Sequence, residues 1–160
     1  MNLKTKSVYI ILHDIRSAFN VGSIFRTADA AGVEKIYLSG FTPAPLDRFG
    51  RPRADFRKTA LGAEKTVPWE QVTDIAELFH ALREKDFAII AIEQSPEAED
   101  YKRVRIESPV ALVFGNEVGG IPVEILRACD RIAEIPMRGK KESLNVAVAA
   151  GIALFRMLDL

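Results

Sequence analysis

Ser143 and Asn145 stand where a charged stretch gives way to an almost wholly apolar one, in KKESLNVAVAAGIALF (140–155). A hydroxyl and an amide at such a junction can cap a helix, or they can hold a ligand by hydrogen bonds. Ser143 suits the N-cap, which would put Asn145 in the first helical turn. Glu117 is a second candidate. In FGNEVGGIP (114–122) the glycines bracket this carboxylate instead of leaving bare amides for a phosphate. Gly119 and Gly120 allow the positive φ of a tight turn, and Pro122 suits a helix start. Arg26 is a third. On a helical wheel it lies away from Val21, Ile24, Phe25 and Ala28, so it is outside the core, and a plain surface arginine is its simplest reading.

Several chemistries are excluded. There is no GxGxxG after the first apolar run and no GxxxxGK[ST] anywhere, which argues against a dinucleotide-binding or P-loop domain. His13, His80 and Cys129 are too scattered for a metal site. No G-x-S-x-G elbow presents a serine nucleophile to His13. A single cysteine forms no internal disulfide and fits a reducing cytoplasm. Lys4 and Lys6 precede an apolar run, Val8 to Leu12, that is too short for a signal segment, and no run spans a membrane. Net charge is zero, yet basic residues cluster in DRFGRPRADFRK (47–58), YKRVR (101–105) and RGKK (138–141). Such patches can follow a phosphate backbone or can simply be solvated loops.

These residues need a scaffold. With 160 residues, 48% hydrophobic and 28% charged, the chain is expected to form one domain, 1–160, with its own core. Short β-branched runs alternate with amphipathic segments. Strands are expected at Val8–Leu12, Lys35–Leu38, Phe87–Ile92, Val110–Phe114 and Ile132–Ile135, and the third of these should be buried on both faces. Helices are expected from Asn20 to Val33, Asp74 to Lys85, Pro122 to Cys129 and Ser143 to Leu158. Residues 41–68 read as a long loop with one turn of helix, and 94–108 as a polar connection. The alternation implies an α/β fold, a mostly parallel sheet with helices on both faces. Ligands of such sheets sit beyond the carboxyl ends of the strands. Asn20, Glu93, Gly115 to Glu117 and Arg138 to Asn145 all fall near those ends.

Three stretches together resemble motifs one, two and three of the TrmH-like (SpoU) branch of the SPOUT RNA methyltransferases. They are NVGSIFRTADAAGVEKIYLSG (20–40), LVFGNEVGGIP (112–122) and IPMRGKKESLNVAVAAGIALF (135–155), with KTALGAE (58–64) as a further family-like segment. The resemblance runs along essentially the whole chain. It implies a C-terminal trefoil knot, which pattern alone would not suggest because knots are rare. It also implies a homodimer with the active site near the interface, S-adenosylmethionine as methyl donor, and a ribose 2'-hydroxyl of tRNA or rRNA as acceptor, transfer RNA being the expectation. By motif position it implies catalytic roles for Asn20, Arg26, Glu117, Ser143 and Asn145. Gly115, Ile135, Met137 and Leu144 would line the donor pocket, with Ile92 from an earlier loop.

In that reading Arg26 holds a phosphate and stabilises the developing alkoxide, since a guanidinium of pKa about 12.5–13.8 is rarely a neutral base. Glu117 organises the site, holding the Ser143/Asn145 turn or orienting Arg26. With no separate RNA-binding domain expected, the dimer's own surface, residues 47–58 included, would recognise the RNA. Two other readings stay open: a non-catalytic RNA-binding module on the same fold, and a methyltransferase acting on a base.

Overall fold

Alternation of side chains along the strands makes two apolar faces and so dictates a sheet covered on both sides. The computed structural model describes residues 7–107 and 109–160. Lys4, Lys6 and Ser108, at the end of the expected 94–108 connection, lie outside the described residues. Among those described, seven strands form one sheet: β1 (Val8–His13), β2 (Lys35–Ser39), β3 (Trp69–Val72), β4 (Ala88–Ile92), β5 (Glu99–Asp100), β6 (Val110–Phe114) and β7 (Arg131–Glu134). Their order is β3-β2-β1-β6-β4-β7-β5, and every neighbouring pair is parallel.

On one face Ile10, Leu12, Leu38, Ile90 and Leu112 meet three helices, α1 (Ala18–Ala30), α2 (Ala54–Ala60) and the last helix, α6 (Val146–Met157). Phe25, Phe56 and Leu154 are among their fully buried contributions. On the other face Ile11, Ile89, Ala111 and Val113 meet α4 (Ile75–Arg83) and α5 (Val123–Ala128) through Leu78, Phe79, Leu82 and Ile125. A four-residue α3 (Ala63–Thr66) follows α2. The expected parallel α/β architecture is the one observed, and β4 is buried on both faces as anticipated. Among the described residues, no helix is long and apolar enough to cross a membrane.

Four expectations need correction. The first helix is not opened by Asn20. Ser17 caps it, its hydroxyl accepting from the Asn20 backbone N–H at 3.1 Å. The last helix is capped by Asn145, not Ser143. The Asn145 side-chain oxygen accepts from the N–H groups of Ala147 at 2.9 Å and Val148 at 3.3 Å. Residues 41–68 are not one loop, because Phe56 and Ala60 bury one face of α2 despite the surrounding Pro, Gly and Arg. The edge strands β3 and β5 also form; β3 has two exposed polar residues and β5 has only two residues, so neither carries an apolar run.

The α1–α2 contact sets where the first turns of α1 lie. Gly22 makes it possible, since a Cβ there would lie 2.3 Å from the Thr59 hydroxyl and 2.5 Å from the Phe56 carbonyl oxygen. The carbonyl is backbone and cannot rotate aside. Gly22→Ala is therefore expected to lower the unfolding free energy by about 1–3 kcal/mol in urea titration. A loss below about 0.5 kcal/mol, the range of neutral surface changes, would show that α2 moves freely on α1.

Candidate active site

The carboxyl ends of β1, β4, β6 and β7 converge on one edge, as parallel strands must. There the Glu117 carboxylate accepts three hydrogen bonds. Two come from the backbone N–H groups of Arg16 (3.0 Å) and Ser17 (3.3 Å), ahead of α1. The third comes from the Asn20 side-chain amide at 3.3 Å. The Asn20 carbonyl oxygen in turn accepts from the Asn145 amide at 3.2 Å. Three segments distant in sequence are thereby joined by one chain of side chains. The Asn145 side chain does two structural jobs at once, since its oxygen caps α6 while its nitrogen binds Asn20.

Burial pushes the Glu117 carboxyl up, but the donors around it, led by the Arg16 N–H, outweigh this and hold it below the usual carboxylate range. An acid so held is ionised at neutral pH and is a weak base. Asn116 fixes the adjoining turn. Its amide donates to the Asp14 carbonyl at 2.7 Å, and its oxygen accepts from the N–H groups of Val118 (2.9 Å) and Gly119 (2.8 Å). Glu93 braces the turn from β4, its carboxylate accepting from the Ile121 N–H at 2.9 Å and the Gln94 N–H at 2.9 Å.

Beside this network lies a cleft of about 280 Å³, near the lower end for small-ligand sites. Its apolar wall is Ile92, Phe114, Ile135, Met137, Leu144 and Val146, and Gly115 and Gly120 bring backbone to its surface. Its charged groups are Glu93, Glu117 and Glu142, with no lysine, arginine or histidine among the described lining residues. All five residues expected to contact a donor line this one cleft, as do Glu117 and Ser143. Asn20 borders it through its bond to Glu117, and Asn145 through its bond to Asn20. Arg26 does not line it. It is exposed on α1, six residues beyond Asn20, and among the described residues it forms no hydrogen bond or ion pair. Glu117 thus reaches the Ser143/Asn145 turn through Asn20 and does not orient Arg26 within this chain.

The motif positions leave Glu93, Asn116, Ser17 and Glu142 without roles. For Glu93 the signal is its place directly after a buried strand, the same kind of place that Gly115–Glu117 occupies after β6. Cys129 is no nucleophile here, since burial, helped by Asp130, pushes its thiol up to about 12.

Solved structures share this fold. The TrmH/SpoU tRNA modifying enzyme of A. aeolicus superposes with a TM-score of 0.84 at 28% identity, over 97% of this chain and 75% of that one. The S-adenosylmethionine-bound rRNA methyltransferase of Sinorhizobium meliloti gives 0.83 at 32% identity, over 94% of this chain and 55% of that one. The fold class is therefore that of the TrmH/SpoU enzymes. The chain belongs to the SpoU rRNA methylase family, whose model matches residues 7–155. A curated relative, the 23S rRNA (guanosine-2'-O-)-methyltransferase RlmB of Ralstonia nicotianae, is 35% identical over 91% of this chain. The chain spans about half the length of the curated relatives it matches, 56% of that one.

Replacing Glu117 by Gln puts an NH2 group among donors. The variant is expected to lose about 1–3 kcal/mol of stability at pH 7. The folded pKa of Glu117 is depressed, so its contribution is complete above the unfolded value of about 4.3 and is lost as pH falls through the folded one. Urea titrations should therefore show a wild-type-to-variant gap that is constant from about pH 6 upward and narrows below about pH 4. No gap at pH 7, or a gap that widens in acid, contradicts the ionised carboxylate as clamp.

Proposed function

We propose that this chain is the methyl-transferring domain, residues 1–160, of an S-adenosylmethionine-dependent enzyme acting on a ribose 2'-hydroxyl of RNA. The observation that carries this reading is the cleft. It is apolar on one wall, bordered by three carboxylates and free of basic side chains among the described residues, and the Glu117–Asn20–Asn145 chain ties it together. Such a lining suits an adenosine carrying a cation and disfavours a nucleoside phosphate. Bound there, S-adenosylmethionine would supply a methyl group already activated by its positive sulfur. Ile92, Ile135, Met137 and Leu144 would hold its apolar parts, Gly115 would offer backbone groups, and Ser143 a hydroxyl.

The remaining work belongs to the acceptor side. Positioning the ribose oxygen in line contributes much of the rate. Glu117 is a poor proton acceptor, because three hydrogen bonds already engage its oxygens and its pKa is depressed. Its work is to fix α1 and α6 relative to the cleft. Arg26 clamps a phosphate of the RNA and stabilises negative charge growing on the 2'-oxygen. The hydroxyl proton leaves to solvent, to phosphate or transiently to Arg26.

We place Arg26 at the cleft through a homodimer. Val148 and Phe155, seven residues apart, share an exposed apolar face of α6, and Phe19 is exposed at the start of α1. A second copy seated there buries these side chains and brings its Arg26 to the neighbouring cleft. The C-terminal knot and a cytoplasmic location belong to the same reading. For the RNA, the Ralstonia relative is named for 23S rRNA and the A. aeolicus structure for tRNA. The common element is RNA, and the ribose 2'-oxygen is named for the Ralstonia relative.

Tritium transfer from labelled donor to undermodified total RNA, with digestion to nucleosides, tests the reaction. Label on a ribose, in tRNA or rRNA, is expected. Label on bases, or donor binding without transfer, overturns it. Arg26→Lys should lower kcat by roughly 10- to 100-fold and alter the pH profile. Mixing inactive Arg26→Ala with inactive Asn145→Ala should restore activity through heterodimers. No restoration would contradict a shared site.

A further inference from the structure

The turn at residues 46–53 displays an aromatic ring where no packing requires one. Phe49 is 65% exposed, although two guanidiniums flank it, Arg48 at 4.7 Å and Arg51 at 5.0 Å from the ring centroid. The display is rigidly built. The Asp47 carboxylate accepts from the N–H groups of Phe49 (2.8 Å) and Arg51 (3.0 Å) and from the Arg51 side chain (2.9 Å). The Asp47 N–H donates to the Arg51 carbonyl at 2.8 Å, and Leu46 and Pro52 close the base as an antiparallel bridge. Gly50, at φ +76°, supplies the reversal. Exposed aromatics beside arginines are how proteins take up unpaired nucleotides, because every base offers a π face and every phosphate a negative charge.

Position and charge agree. The turn follows the carboxyl end of β2, so it stands on the same edge of the sheet as the cleft. It leads into α2, which is pinned to the first turns of α1 by the Thr59 hydroxyl donating to the Phe19 carbonyl at 2.7 Å. Asn20 is the next residue. Arg57 and Lys58 are exposed on α2, and with Arg48 they have no carboxylate partner among the described residues. The acidic cleft repels phosphate while this neighbouring surface attracts it.

We propose that residues 46–58 form the RNA-reading surface of the domain. An unpaired nucleotide near the methylated ribose stacks its base on Phe49. Arg57 and Lys58 take the flanking phosphates. This rests on the RNA-methylating reading above and adds to it a substrate class, RNA that is single-stranded at the site, because a paired base keeps both of its faces stacked.

Anisotropy with a fluorescein-labelled oligouridylate and with a length-matched RNA duplex tests this on the full chain. Phe49→Ala should weaken oligouridylate binding by roughly 5- to 150-fold and duplex binding much less, while Phe49→Trp should restore it. Arg57→Ala should weaken binding and reduce the slope of log affinity against log salt by about 0.7. Thermal melting should be unchanged in each variant, since both side chains are on the surface. Unchanged oligouridylate affinity in Phe49→Ala, equal losses on single strand and duplex, or no RNA binding by the wild type would each overturn the proposal. Donor titration and methyl transfer by the wild type report separately. A wild type that transfers methyl to ribose while Phe49→Ala keeps an unchanged KM for RNA refutes this surface alone. Phe49-dependent oligouridylate binding with no methyl transfer supports the surface and refutes the enzyme.

Discussion

One ionised carboxylate holds the site in register. Glu117 leaves the end of β6 and gathers the start of α1 by two backbone N–H groups and one amide, and Asn20 passes the connection to the cap of α6. Carboxylate acceptors make stronger hydrogen bonds than neutral ones, and they lose that strength on protonation. Remove the charge and each helix still packs on the sheet, through Val21 and Phe25 or through Ala150 and Leu154. What would be lost is the relative placement of the polar tips, and positioning is the part of methyl transfer that a protein must supply.

The charge pattern follows a division of labour that net charge conceals. A chain neutral overall gathers carboxylates around its cleft and guanidiniums around the turn after β2. Two ligands of opposite sign can then approach the same edge of the sheet without exchanging places. The carboxylates also have structural partners. Glu93 spends both oxygens on backbone N–H groups, so its negative charge stays fixed at the rim.

Much of this was legible in the residues, for stateable reasons. β1, β2, β4 and β6 carry unbroken apolar runs because both faces of a parallel sheet are buried. The cleft residues follow strand ends, and in parallel strands those ends share an edge, so Ile92, Gly115, Ile135, Met137 and Leu144 meet although 52 positions separate the first from the last. Other features had no local signal. Ser143 and Asn145 are equally good caps by residue type, and only the tertiary bond to Asn20 selects Asn145. α2 is hidden among Arg, Pro and Gly because it buries only Phe56 and Ala60 fully. β3 and β5 lie at sheet edges, where half-exposure dilutes the pattern. Arg26 belongs to a motif, yet nothing in a single folded copy brings it to the cleft.

The strand order has a kinetic corollary. β1 lies between β2 and β6, so one of its two ladders waits for residues about a hundred positions further on. α6, made long after α1, closes the face of the core that α1 shares. During synthesis on the ribosome the parts of β1 and α1 that meet β6 and α6 stay uncovered until those elements have emerged. High contact order of this kind slows folding and prolongs the time in which an unfinished chain can aggregate. The same late helix brings Asn145, so a nascent chain holds no finished ligand cleft before its fold is complete.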